Sequence, residues 1–169
     1  EQVGTMAGRT TRTIAVLLAA VLSLTGLQAA PAAADTIVTI PDAAFRKCLL
    51  GLLHADNDAA LTQSALSGLT RVSCYRSPAD QPIKDLTGAE YLTGATVFVL
   101  TSQELADVSP LASLTALKAV DIRPSGLKDA SPLGALTGLS TLVLGSNPIT
   151  DLSFVARLQS LGVVDLRNV

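Results

Sequence analysis

From residue 83 onward, apolar and polar positions fall in register every 22 residues across four rows, 83–104, 105–126, 127–148 and 149–169. Leu92, Leu114, Leu136 and Leu158 form one column, and Ala95, Leu117, Leu139 and Leu161 follow three residues later. Phe98, Val120, Leu142 and Val164 come next, and two beyond them Leu100, Ile122, Leu144 and Leu166. Two apolar residues separated by one position predict a short strand with those two side chains inward and the intervening ones outward. Leucines three apart predict a turn or short helical piece that closes each coil. Stacking such coils places the strands in a parallel sheet about 4.8 Å apart and joins the inward side chains into one core. Ser109-Pro110-Leu111 and Ser131-Pro132-Leu133 open the convex segments of their rows, with serine expected to cap and proline tolerated at the first helical position. The fourth row carries Ser153-Phe154 there.

Together these columns spell Leu-x-x-Leu-x-x-Leu-x-Leu at a fixed period, the leucine-rich-repeat signature. An earlier coil is legible as well. Leu66, Leu69, Val72 and Cys74 repeat the spacing of Leu92, Ala95, Phe98 and Leu100, but 26 residues upstream, with the excess in the proline-bearing loop 76–82. Further upstream, Ile40-Pro41-Asp42 leads into a predicted helix from Ala43 to Leu53, on which Phe45, Cys48, Leu49 and Leu52 share one face. That helix is expected to cap the open end of the solenoid. Cys48 would point from the cap toward the core and Cys74 inward from the first strand. A disulfide between them is the leading expectation, two buried free thiols the alternative.

The chain begins with a segment of another kind. Arg9 and Arg12 precede an uncharged apolar run from Ile14 to Leu27; Pro31 breaks it, and Ala32 to Ala34 supply the small residues of a signal-peptidase site. The run is shorter than the roughly 20 residues a membrane span requires. Residues 1–34 therefore read as a removed signal peptide, with the mature chain opening at Asp35, divided into a cap at 35–65 and repeats at 66–169. Without Arg9, Arg12 and Glu1 there remain 10 basic and 13 acidic residues, a formal net charge of −3. That balance lacks the basic face of a nucleic-acid binder. No membrane insertion of the mature chain is expected. Because the fourth row ends without a following coil or polar cap, the reading frame is expected to continue past Val169.

Few residues carry chemistry. Asp85, Asp107, Asp129 and Asp151 form a column that could be mistaken for metal ligands, but one aspartate at the same turn of every coil suits a backbone acceptor that holds the turn. Asp56 and Asp58 faintly echo a calcium loop, which lacks here both the turn glycine and the bidentate glutamate. His54 is the only histidine and sits at the end of the cap helix, with no serine elbow near it. No catalytic residue, metal ligand or cofactor site is assigned, and the chain reads as a non-enzyme.

Ile40 to Leu49, Asp85 to Thr93 and Asp107 to Leu111 resemble the internalin family of bacterial surface proteins, and the resemblance spans most of 37–169. It implies an α/β right-handed solenoid with short parallel strands on its concave face, a helical cap, and protein partners bound on that face. Internalin rows usually carry an asparagine after the strand, bonded to neighbouring coils. Here the column reads Gln103, Ser125, Asn147 and Val169, so only one row keeps it and less regular coils are expected.

The expected function is a secreted or cell-surface scaffold that recognises a protein or an extracellular surface polymer. The alternative is the recognition part of a larger secreted enzyme whose catalytic domain lies beyond residue 169. The candidate binding residues are the outward strand positions Val99, Asp121, Arg123, Val143, Asp165 and Arg167. Asp121 and Arg123 recur as Asp165 and Arg167 two coils on, about 10 Å away, a distance expected to preclude pairing between the two sets. The face, counted from Val97 onward, offers no tyrosine or tryptophan.

Overall fold

Five short strands carry the repeat: β1 (Arg71–Tyr75), β2 (Val97–Thr101), β3 (Ala119–Arg123), β4 (Thr141–Val143) and β5 (Val163–Asp165). They form one parallel sheet in chain order. The computed structural model describes residues 35–169; the signal segment read at 1–34 lies outside the described residues. The register follows the columns, with Val72 beside Phe98, Phe98 beside Val120, Val120 beside Leu142 and Leu142 beside Val164. The 26-residue first step is accommodated, since Arg71 still lies opposite Val97. The residues added there form the connecting loop rather than a slip of the strand.

The inward members Val72, Cys74, Phe98, Leu100, Val120, Ile122, Leu142 and Leu144 are buried. Each large apolar side chain taken out of water this way stabilises the stack by roughly 1.5–3 kcal/mol. In β5 the corresponding Val164 is 45% exposed, because an inner side chain is fully covered only when the next coil packs on it.

Short 3-10 helices close the coils at Ala89–Tyr91, Ser109–Leu111, Ser131–Ala135 and Ser153–Arg157. Their entry is held by the aspartate column. Asp85, Asp107, Asp129 and Asp151 accept the backbone N–H two residues on, from Thr87, Ser109, Ser131 and Ser153, at 2.7–2.8 Å. The serines expected to cap are the first residues of the helices, and the aspartates two positions earlier supply the acceptor. Aspartate bonds the backbone two residues on more strongly than a serine hydroxyl does.

At the N-terminal end, α1 (Ala43–Leu52) starts at Asp42, whose Oδ1 accepts from the backbone N–H groups of Ala44 and Phe45. Its Oδ2 accepts from those of Lys84 and Asp85. One carboxylate thus starts the cap helix and ties it to the second coil. Phe45 and Leu49 face the core at 0% exposure, and the disulfide joins Cys48 to Cys74 with a Cα–Cα separation of 5.8 Å. A second helix, α2 (Gln63–Ser67), leads into β1. Gly94 lies so close to the Ser67 carbonyl that any Cβ there would collide with it, so glycine is needed where the next coil passes α2.

The post-strand amide column departs from expectation. Asn147 is 1% exposed and makes four bonds. Its Oδ1 accepts from the N–H groups of Ser125 and Leu127, and its Nδ2 donates to the carbonyls of Ile122 and Leu144. Gln103 does the same work with a side chain one methylene longer: Oε1 accepts from the Ile83 N–H at 2.7 Å, and Nε2 donates to the carbonyls of Cys74 and Thr101. Two coils therefore keep the amide ladder rather than one. At Ser125 the backbone substitutes, its own carbonyl accepting from the Leu105 N–H at 2.8 Å. The Ser125 hydroxyl is left buried without a partner, beside a hollow of about 290 Å³.

Candidate binding surface

The sheet's outer face is built from the odd strand positions, which alternation turns away from the core. Ser73, Val99, Asp121, Val143 and Asp165 lie side by side across all five strands. Thr101 pairs with Tyr75 on one side and Arg123 on the other, and the repeat continues that line through Gly145 to Arg167. The six residues singled out from the sequence are thus brought together on one surface. It also has an aromatic member that the sequence count stopped short of: Tyr75, 68% exposed. Its signal was available, since Cys74 inward in β1 forces Tyr75 outward.

Four charges on this face, Asp121, Arg123, Asp165 and Arg167, form one network, while Arg71 at the start of β1 stands outside it. Arg123 donates from Nε and Nη2 to the two carboxylate oxygens of Asp121, at 2.9 and 3.2 Å. Arg167 grips Asp165 in the same bidentate way at 2.9 and 2.8 Å. Contrary to the expectation from strand spacing, the two pairs also meet, with Arg123 Nη1 3.6 Å from Asp165 Oδ2. Strand spacing runs from backbone to backbone, whereas arginine carries its guanidinium on a three-methylene stem. The coil between them offers only Gly145 at the arginine position, leaving the path open. Asp165 Oδ1 lies 3.6 Å from where a Cβ on Gly145 would stand.

Hydrogen bonds from the Arg167 side chain, and next from its backbone N–H, hold the Asp165 carboxyl well below the ordinary aspartate value. The same pairing raises the Arg167 guanidinium. A carboxyl with a depressed folded-state pKa favours folding above its unfolded value, near 3.9, and that contribution disappears as pH falls through the lower folded value. Carbon-detected NMR titration should therefore place the Asp165 midpoint below 3.9, and Arg167→Ala should move it upward. A wild-type midpoint at or above the ordinary value would mean that the network does not form in solution.

In the loop after the cap helix, two side chains have partners. Asn57 accepts from the Ala59 N–H and starts the 3-10 turn Asp58–Ala60, while Asp58 pairs with Arg46 at 3.6 Å. Asp56 and His54 are exposed. Among the described residues no three histidine, cysteine, aspartate or glutamate side chains are grouped to hold a metal ion, and no helix is long and apolar enough to cross a membrane.

Stacked 22-residue coils, an inter-coil amide ladder and a disulfide-tied helical cap define a leucine-rich-repeat solenoid. Neither a protein-family model nor a curated protein matches the chain. Solved structures do. An internalin (inlF) of Listeria monocytogenes str. 4b F2365 is similar at 27% identity over 76% of this chain, with a TM-score of 0.69. The InlJ functional domain of Listeria monocytogenes, described as including a cysteine ladder, matches at 26% identity over 73% of the chain, with a TM-score of 0.63. Internalin C2 (inlC2) of the F2365 strain shares the fold at 22% identity over 76% of the chain and a TM-score of 0.53. The chain spans 37%, 26% and 65% of the lengths of these three, respectively. The chain thus has the leucine-rich-repeat fold and is similar in sequence and structure to these internalins.

Proposed function

We propose that this protein is an extracellular recognition module that binds a protein partner through the outer, concave face of its sheet, and that it performs no catalysis. The observation that carries the reading is the composition of that face. A line of Tyr75, Thr101, Arg123 and Arg167 runs beside Val99 and Val143, joining an exposed aromatic side chain, apolar patches and two guanidiniums on one rigid surface. Tyrosine and arginine are the residue types that most often dominate protein interfaces. Repeat solenoids present such faces as extended platforms. The disulfide fits export to an oxidising compartment.

Arg167, with 82% of its side chain exposed, is the residue a partner carboxylate reaches first. The Asp165 contact pre-orients the guanidinium, so little side-chain freedom is lost on binding. The test is a screen of the protein against an array of purified extracellular proteins and surface glycans, repeated with Arg123→Ala/Arg167→Ala. Binding to a protein that weakens tenfold or more in the double variant, with far-ultraviolet circular dichroism unchanged, is the expected result. Equal binding by both forms would move the site off this face, and hits confined to glycans would replace a protein partner with a surface polymer.

A further inference from the structure

A groove of about 600 Å³ opens between α1, the end of β1 and the loop 76–82, away from the charge network described above. That volume falls within the roughly 300–1,000 Å³ typical of small-ligand sites. Its apolar lining comes from Leu52, Ile83 and the Cys48–Cys74 disulfide. One wall is kept empty by a residue choice that propensity disfavours. Gly51 lies within α1, where glycine is a poor helix former, and a Cβ added there would meet nothing within 4 Å.

A second wall is the free edge of the sheet. The Thr70 and Cys74 carbonyls face β2, accepting from the Val97 N–H and from Gln103 Nε2. Strand alternation therefore turns the Ser73 and Tyr75 carbonyls the other way, toward the cap, and Ser73 O lies 3.8 Å from Cys48 Sγ. These are hydrogen-bond acceptors aimed at whatever enters.

At the mouth, two cations converge on one acidic residue. Lys47 Nζ lies 2.6 Å from Asp80 Oδ1, and Arg76 Nε donates to the Asp80 carbonyl at 3.1 Å. The Asp80 carboxylate thus occupies a carboxylate position at the edge of an apolar groove whose inner wall presents acceptors. An apolar side chain, a backbone N–H donor and a carboxylate, spaced over one residue, are the features of a peptide C-terminus. The geometry points to this groove as a site for the C-terminal residue of a peptide chain. Its apolar side chain would rest on Leu52, Ile83 and the disulfide, its N–H would donate to the Ser73 or Tyr75 carbonyl, and its carboxylate would displace Asp80 from Lys47. The groove shares Ser73 and Tyr75 with the strand face, but none of Asp121, Arg123, Asp165 and Arg167 lines it, and the assignment does not rest on the concave-face reading.

The test uses the full chain and acetyl-Ala-Ala-Phe with a free carboxylate, followed by amide-resolved NMR titration. Shifts should centre on Gly51, Ser73 and Tyr75, and the C-terminal amide of the same peptide should bind at least tenfold more weakly. Asp80→Asn releases Lys47 and should tighten binding about three- to tenfold, a gain that a purely structural role for Asp80 would not produce. Lys47→Ala should weaken binding about tenfold. Gly51→Leu fills the groove and should abolish binding without lowering the melting temperature. Equal binding of acid and amide, absence of tightening in Asp80→Asn, or shifts centred elsewhere would each overturn the assignment.

Discussion

Replacing Asn147 with alanine is expected to destabilise the protein by about 4 kcal/mol, because four buried backbone groups lose their partners at once and each unsatisfied group costs roughly 1–3 kcal/mol. The two N–H groups belong to Ser125, near the end of the preceding row, and Leu127, at the start of Asn147's own; the two carbonyls belong to Ile122 and Leu144. No water can replace the amide without opening the stack, since Asn147 is 1% exposed. The same column supplies the control. Ser125→Ala removes a buried hydroxyl that has no partner, so it should leave stability unchanged or raise it by up to about 1 kcal/mol. Urea unfolding followed by circular dichroism measures both. A loss below about 1 kcal/mol for Asn147→Ala would mean that the amide does not hold the coils together.

Removing the disulfide by Cys48→Ala/Cys74→Ala is expected to cost about 3.5 kcal/mol in the chain-entropy model, from the 26-residue separation of the two cysteines. The loss should be local before it is global. A solenoid transmits stability mainly between neighbouring coils, so hydrogen exchange should accelerate in 38–53 and in β1 while β3 and β4 keep their protection. Uniform acceleration across all five strands would contradict this. Two alkylatable thiols in the unreduced wild type would remove its premise.

Much of this was legible in the sequence because a repeat states its rule many times. The columns at Leu92, Phe98 and Leu100 each recur every 22 residues, and they located the strands, the inward faces and the 26-residue first step. The cysteine pairing followed from two faces, one on the cap helix and one on the first strand. What stayed hidden depended on side-chain reach. Gln103 was set aside because its type differs from asparagine, although one more methylene lets it contact the same backbone groups. The Arg123–Asp165 contact was missed because strand spacing ignores both the length of arginine and the empty position at Gly145. Tyr75 lies on β1, which precedes the regular 22-residue rows, so the row pattern alone does not bring it onto the face. The groove beside α1 leaves no mark in the repeat, since it arises where the cap helix and the longer first connection depart from it.

Recognition on the strand face can be followed at the level of single segments. Hydrogen–deuterium exchange of the protein, alone and with a partner recovered from the array, tests it directly. New protection is expected in β2, β3 and β4, with the 3-10 helices Ser109–Leu111 and Ser131–Ala135 on the opposite side of the coils unchanged. Protection confined to those helices, with the strands unaffected, would contradict it.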